Sequence, residues 1–234
     1  MNTENTENEK SILGSLDGIC FEEADGNAVT YRIYNMCIGI SVVAGCTINT
    51  VMARYFGSAI MNLHPGLVLA IYFIGSLGGT VLVNMARNAA MSLGGFLLLV
   101  VSMGILLTCY ASAYTGASID RAFLITLCIT VAATVLASAK PDLVAHLGVN
   151  LGSMLLITLA AELLCIFVFH LDQDIFDYIF VVLFAGFIAF DWTRAQEYAP
   201  TLGNALRAAA SIYVDLINVF IYLLRITGSR KQKD

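Results

Sequence analysis

The chain has 234 residues, 59% of them hydrophobic and only 12% charged, with a mean hydropathy of +0.81. A soluble domain carries about 25% charged residues, so the composition excludes a water-soluble enzyme and indicates an integral membrane protein with no nucleic-acid partner. The net charge of −5 is local: residues 1–29 hold seven acids (Glu4, Glu7, Glu9, Asp17, Glu22, Glu23, Asp25) against Lys10, leaving 11 bases and 10 acids elsewhere.

Three regions follow: an acidic polar tail over 1–29, a transmembrane domain over 30–228 and a basic tail over 229–234 carrying Arg230, Lys231 and Lys233. The tail lacks the basic and apolar regions of a cleaved signal peptide, so targeting is expected from the first membrane helix. The six cysteines (Cys20, Cys37, Cys46, Cys109, Cys128, Cys165) have no ligand spacing, and five lie in apolar runs. They read as small core residues, not disulfides or metal ligands. His64, His146 and His170 fall at span ends without metal-site spacing.

Uncharged runs of the ~20 residues needed to cross a bilayer predict seven spans, at about 33–53, 66–86, 90–111, 122–139, 147–169, 175–192 and 204–225. Short loops make these one seven-transmembrane all-α bundle. Arg87, Lys140 and Arg194 follow spans two, four and six, on the side of the N-terminus. The loop after span five holds Asp172, Asp174 and Asp177, read as solvated and able to concentrate cations at the far mouth. This bias places the N-terminus in the cytoplasm. The basic C-terminal tail opposes that orientation if the last span crosses fully, as its length favours. The glycines of the early spans, such as Gly75, Gly78 and Gly79, read as helix-packing devices.

The last span has one polar stripe. On an α-helical wheel, Asn204, Arg207, Ser211, Asp215, Asn218, Tyr222 and Arg225 fall within a sector of roughly 80°. A carboxylate in mid-bilayer costs ~2.5–3.5 kcal/mol or more and is functional by default. Asp191, at the end of span six, is a candidate partner, although straight helices leave Asp215 roughly 16 Å deeper. Arg87, ending span two on the same side, is the natural counter-charge. Ser211, Asn218 and Tyr222 are candidate lining residues, and Glu162 in span five is a candidate second vestibule site. Arg194 and Arg207 are expected to reach water.

The run Ser211-Ile212-Tyr213-Val214-Asp215-Leu216-Ile217-Asn218-Val219-Phe220, closing with Leu223-Leu224-Arg225, resembles the C-terminal signature of the Bax inhibitor family. Phe190-Asp191-Trp192 matches the family's other acidic position, and Val83-Asn84-Met85-Ala86-Arg87 resembles its arginine after helix two. The resemblance covers about residues 30–228 and is most specific in the last 40. The family's acid within helix two is absent; Ser76 stands there.

The resemblance implies a C-terminal helix in the centre of the other six and a pH-sensitive calcium leak. Asp191 and Asp215 would be the gating dyad and weak, transient Ca²⁺ ligands, with Arg87 as the latch. No cofactor is implied beyond Ca²⁺ as permeant ion and H⁺ as regulator. Two neighbouring carboxylates share a proton and titrate as a unit, and Ca²⁺ needs 6–8 oxygens, so water must complete its shell.

Two rivals remain: a Ca²⁺/H⁺ exchanger using the same dyad, and a membrane interaction protein that regulates stress responses or membrane proteolysis without flux. Enzymatic activity is not expected, since Asp215 lies in Tyr-Val-Asp-Leu and not in the Gly-x-Gly-Asp context of an intramembrane aspartyl protease. A bacterial plasma membrane is favoured over endoplasmic reticulum.

Overall fold

The computed structural model describes residues 28–165 and 174–230, apart from the side chains of Val149 and Asp174. The described residues form seven helices: α1 (Tyr31–Met61), α2 (Pro65–Asn84), α3 (Ala89–Ala111), α4 (Gly116–Ala139), α5 (Pro141–Leu164), α6 (Asp174–Ala195) and α7 (Leu202–Thr227). Six of them are long and apolar enough to cross a membrane. The remaining one, α5, counts as a further span if its two parts are taken together, because it bends by 45° between Pro141–Gly148 and Asn150–Leu164. Most of the acidic tail, Cys20, His170, Asp172, Lys231 and Lys233 lie outside the described residues.

Helix ends follow local chemistry. Pro65 opens α2 without wasting an N–H, and the His64 side chain accepts from Gly66 N. Asn88 caps α3 by accepting from Met91 N at 2.8 Å, and Thr201 caps α7 by accepting from Asn204 N at 3.2 Å. Most predicted spans are shorter than the helices, although the second, 66–86, runs two residues past the end of α2. Helix α1 continues past Arg54 to Met61, and α4 starts at Gly116, ahead of Asp120 and Arg121. Charge marks the edge of a hydrocarbon layer, whereas a helix stops only where its backbone bonds end.

Helix α7 runs the length of the bundle. Near its start, Val29 N donates to Pro200 O at 2.8 Å; past its end, Thr115 N donates to Ser229 O at 3.1 Å. It is the most buried helix, with 61% of its most apolar window inside the protein against 17–44% for the other single spans. It packs on α1, α2, α3, α4 and α6, while α5 packs on α6 and α4. Buried Ala205, Ala208, Ala209 and Ala210 let neighbours approach its first half, and Tyr213, Val219 and Leu224 fill the core beyond. Phe96 meets the Tyr213 ring edge-on, with centroids 6.0 Å apart.

Helices α2 and α3 bring their backbones close together at two glycines. A Cβ at Gly79 would lie 2.8 Å from Gly95 O and 2.7 Å from Leu99 N, and one at Gly95 would lie 2.7 Å from Val83 N. Only glycine fits both positions, the small-residue device that membrane helices use to pack closely.

Candidate functional site

Asp191 lies on α6, one turn before its end, and Asp215 lies midway along α7. The two side chains are within hydrogen-bonding reach of each other, and Ser211 is within reach of Asp191. Asp215 is buried, and its Oδ2 has no hydrogen-bond partner among the described residues. The pair lines a cavity of about 220 Å³ whose other walls include Thr80, Val83 and Asn84 of α2, Leu99 of α3, and Arg207 and Val214 of α7.

The depth difference expected from straight helices closes for a specific reason. After Ala195 the chain continues outward through residues 196–201 before α7 begins. Tyr34 donates to Ala195 O, whereas Val29, five residues nearer the start of the described chain, pairs with Pro200. The first turns of α7 therefore project beyond the end of α6, and Asp191 comes level with Ser211 and Asp215.

Arg87 is not brought to this pair. Helix α2 ends at Asn84, so Arg87 sits in the turn to α3, exposed and outside the cavity. The guanidinium lining the cavity belongs to Arg207, which sequence reasoning assigned to water. Its Nη2 donates to Asn84 O at 3.0 Å and its Nη1 to Asn204 Oδ1 at 3.2 Å. The available signal was the wheel: Arg207 shares the polar sector of Asp215, two turns earlier. Arg194 also acts electrostatically on Asp191. Ser76 bonds back to its own helix at Phe73 O, and Thr80 is the α2 hydroxyl that lines the cavity.

The rest of the polar stripe separates from the dyad. Asn218 is half-buried and does not line the cavity. Tyr222 stacks on Phe180 at 4.7 Å and on Phe184 at 5.9 Å, and Arg225 lies 5.6 Å over the Tyr222 ring. Glu162 is buried and acts electrostatically on Tyr222, so it belongs to this opposite end.

Asp177, expected in a solvated loop, is instead buried on α6 and paired with Arg225 at 3.1 Å. Its position was legible from periodicity: Asp177 and Asp191 are 14 residues apart, close to four helical turns, so they share a face of α6. A buried polar pair on the opposite side of α7 had no sequence signal. Asn49 Nδ2 donates to the hydroxyl of Tyr213 there, linking α1 to α7.

Among the described residues no group of three or more His, Cys, Asp or Glu is arranged to hold a metal ion.

A bundle of long apolar helices enclosing an acid pair defines a multi-pass integral membrane protein. The sequence matches the family described as "Inhibitor of apoptosis-promoting Bax1" over residues 27–232, and the chain belongs to this Bax inhibitor family. It is similar to uncharacterized protein YrjE of Lactococcus lactis subsp. lactis (strain IL1403), 26% identical over 219 residues, covering 88% of this chain and 93% of that one. It is also similar to uncharacterized protein RP147 of Rickettsia prowazekii (strain Madrid E), 28% identical over 184 residues, covering 75% and 74%.

Proposed function

We propose that this protein is a pH-sensitive calcium leak of a bacterial plasma membrane, gated by Asp191 and Asp215, and not an enzyme. The observation that carries the reading is the meeting of the two carboxylates in one cavity, with a buried oxygen of Asp215 left unpartnered. Seven crossings with α7 at the centre and the N-terminus in the cytoplasm complete the reading. They are supported by the burial of α7 and by the distribution of Arg87, Lys140 and Arg194. That both relatives are bacterial supports the membrane assigned.

With one shared proton the acids attract and hold α6 against α7. Loss of that proton leaves two like charges in a poorly screened site, and repulsion opens the contact. Flux therefore rises with pH. A passing Ca²⁺ would take oxygens from both aspartates and Ser211 and complete its shell with water. Arg207, not Arg87, is the guanidinium we place as the latch, because it lines the cavity and ties α7 to the end of α2.

The test is Ca²⁺ influx into proteoliposomes across a pH series, with Asp191→Asn and Asp215→Asn beside the unaltered protein. Flux down the Ca²⁺ gradient that loses its pH dependence in both variants supports the leak. A requirement for counter-moving protons replaces it with a Ca²⁺/H⁺ exchanger, and flux indifferent to both substitutions rejects the dyad. No flux above empty liposomes rejects transport and leaves a membrane interaction protein.

A further inference from the structure

A second cavity, of about 560 Å³, lies toward the opposite end of the bundle from the dyad, between α1, α3, α4 and α7. Helix α1 packs on α3 and α7, while α4 packs on α5, α6 and α7. The cavity is therefore a cleft with α1 and α4 as its rims and α3 and α7 as its floor. In a membrane such a gap faces lipid.

The interior of this cleft suits hydrocarbon. Ala53, Leu107, Phe123 and Phe220 line it, and its polar residues are turned elsewhere. The hydroxyls of Thr50 and Thr108 donate within their own helices, to Cys46 O at 2.9 Å and Gly104 O at 2.7 Å. Asn49 uses its amide on Tyr213 and turns Oδ1 against Gly104, where an added Cβ would lie 2.5 Å from that oxygen.

The charges are confined to the rims. Arg54 on α1 and Asp120 on α4 line the same cleft with opposite signs. Both are exposed, and they are not ion-paired with each other. Asp120 is in the second turn of α4, near the bundle end where Ser229 meets Thr115, and Arg54, two turns before the end of α1, opens on the same cleft.

We propose that this cleft binds an amine-bearing zwitterionic phospholipid of the far leaflet. One acyl chain lies along the floor, the phosphate rests on Arg54, and the ammonium group donates hydrogen bonds to Asp120. A wholly anionic headgroup would satisfy Arg54 and be repelled by Asp120. A trimethylated amine would keep the charge but offer no N–H.

The test is native mass spectrometry of the full-length protein in mild detergent with an equimolar mixture of dioleoyl phosphatidylethanolamine, phosphatidylcholine and phosphatidylglycerol. Phosphatidylethanolamine should be retained preferentially. Arg54→Gln and Asp120→Asn should each lower its retention by up to about fivefold, the ceiling for a solvent-accessible charge pair. Ala53→Trp, which fills the cleft from the α1 rim without altering a charge, should remove it. If Ala53→Trp does not fold, Asp120→Asn, at an exposed position, keeps the test decisive. Equal retention of all three lipids, or retention indifferent to these substitutions, would reduce the bound lipid to the annular layer and overturn the proposal. Preference for phosphatidylglycerol would leave a simple anion site at Arg54 and overturn the ammonium contact. Calcium flux is not read in this assay, so its outcome is independent of the leak.

Discussion

The Asp177–Arg225 pair makes an asymmetric prediction. The carboxylate is the drier partner, with its side chain 5% exposed, whereas the guanidinium side chain is 27% exposed. Removing one member of a fully buried pair costs about 3–5 kcal/mol, because the other stays charged and dry. Arg225→Gln strips the drier group of this partner and also removes the cation over the Tyr222 ring, so its cost should fall near 3 kcal/mol. Asp177→Asn leaves the group that already reaches solvent, and its cost discounts to about 1.5 kcal/mol. At ~2–4 °C per kcal/mol for a chain of this size, Tm should drop by about 6–12 °C for Arg225→Gln and about 3–6 °C for Asp177→Asn. Thermal unfolding in one detergent, with both single variants and the double variant, reads this directly. The double variant should lose less than the two singles added together. Equal costs, the reverse order or simple additivity would refute the reasoning that burial of the carboxylate controls the pair.

Three further outcomes are expected. Gly79→Val drives a side chain into the α3 backbone at Gly95 and Leu99; overpacking of this kind costs about 1–3 kcal/mol, seen as a lower unfolding midpoint. Tyr213→Phe deprives Asn49 of its buried acceptor and should cost about 1–3 kcal/mol, whereas Tyr178→Phe, at an exposed position, should leave the midpoint unchanged. In the flux assay, Arg207→Gln should raise the resting Ca²⁺ leak more than Arg87→Ala. The opposite ranking would return the latch to Arg87.

Much of the architecture was legible because hydrocarbon imposes one simple demand, an uncharged helix about 20 residues long. Each predicted span overlaps one helix, but α1 ends eight residues beyond its span, α4 starts six residues before its own, and α5 starts at Pro141, six residues before its span, and bends on the way. Length alone sees neither the early start nor the break. The acid pair was legible in the residues as two carboxylates of the right type, and its contact only in the resemblance. Depth was counted from the helix ends, and the outward course of residues 196–201 moves the start of α7 relative to α6. Arg207 differs for another reason: it lies on the face of α7 that carries Asp215, and its guanidinium turns across to Asn84 O of α2 instead of to water. Asp177 was judged by its acidic neighbours in sequence when its surroundings are set by the face of α6 it shares with Asp191.

The close contact of Gly79 with Gly95 bears on how the acid pair could move. Helices α2 and α3 form the most extensive pair in the bundle, and α6 and α7 the next, while α2 touches α7 only lightly. Thr80, Val83, Asn84 and Leu99 come from the first pair, and Asp191, Asp215, Ser211 and Arg207 from the second. The cavity that holds the two acids thus lies between two helix pairs, and the hydrogen bond from Arg207 to Asn84 O crosses from one to the other. Under the gating proposed above, the cavity would widen by a small shear of one hairpin against the other, the kind of sliding that packed helices permit. Neither tightly packed pair would need to come apart.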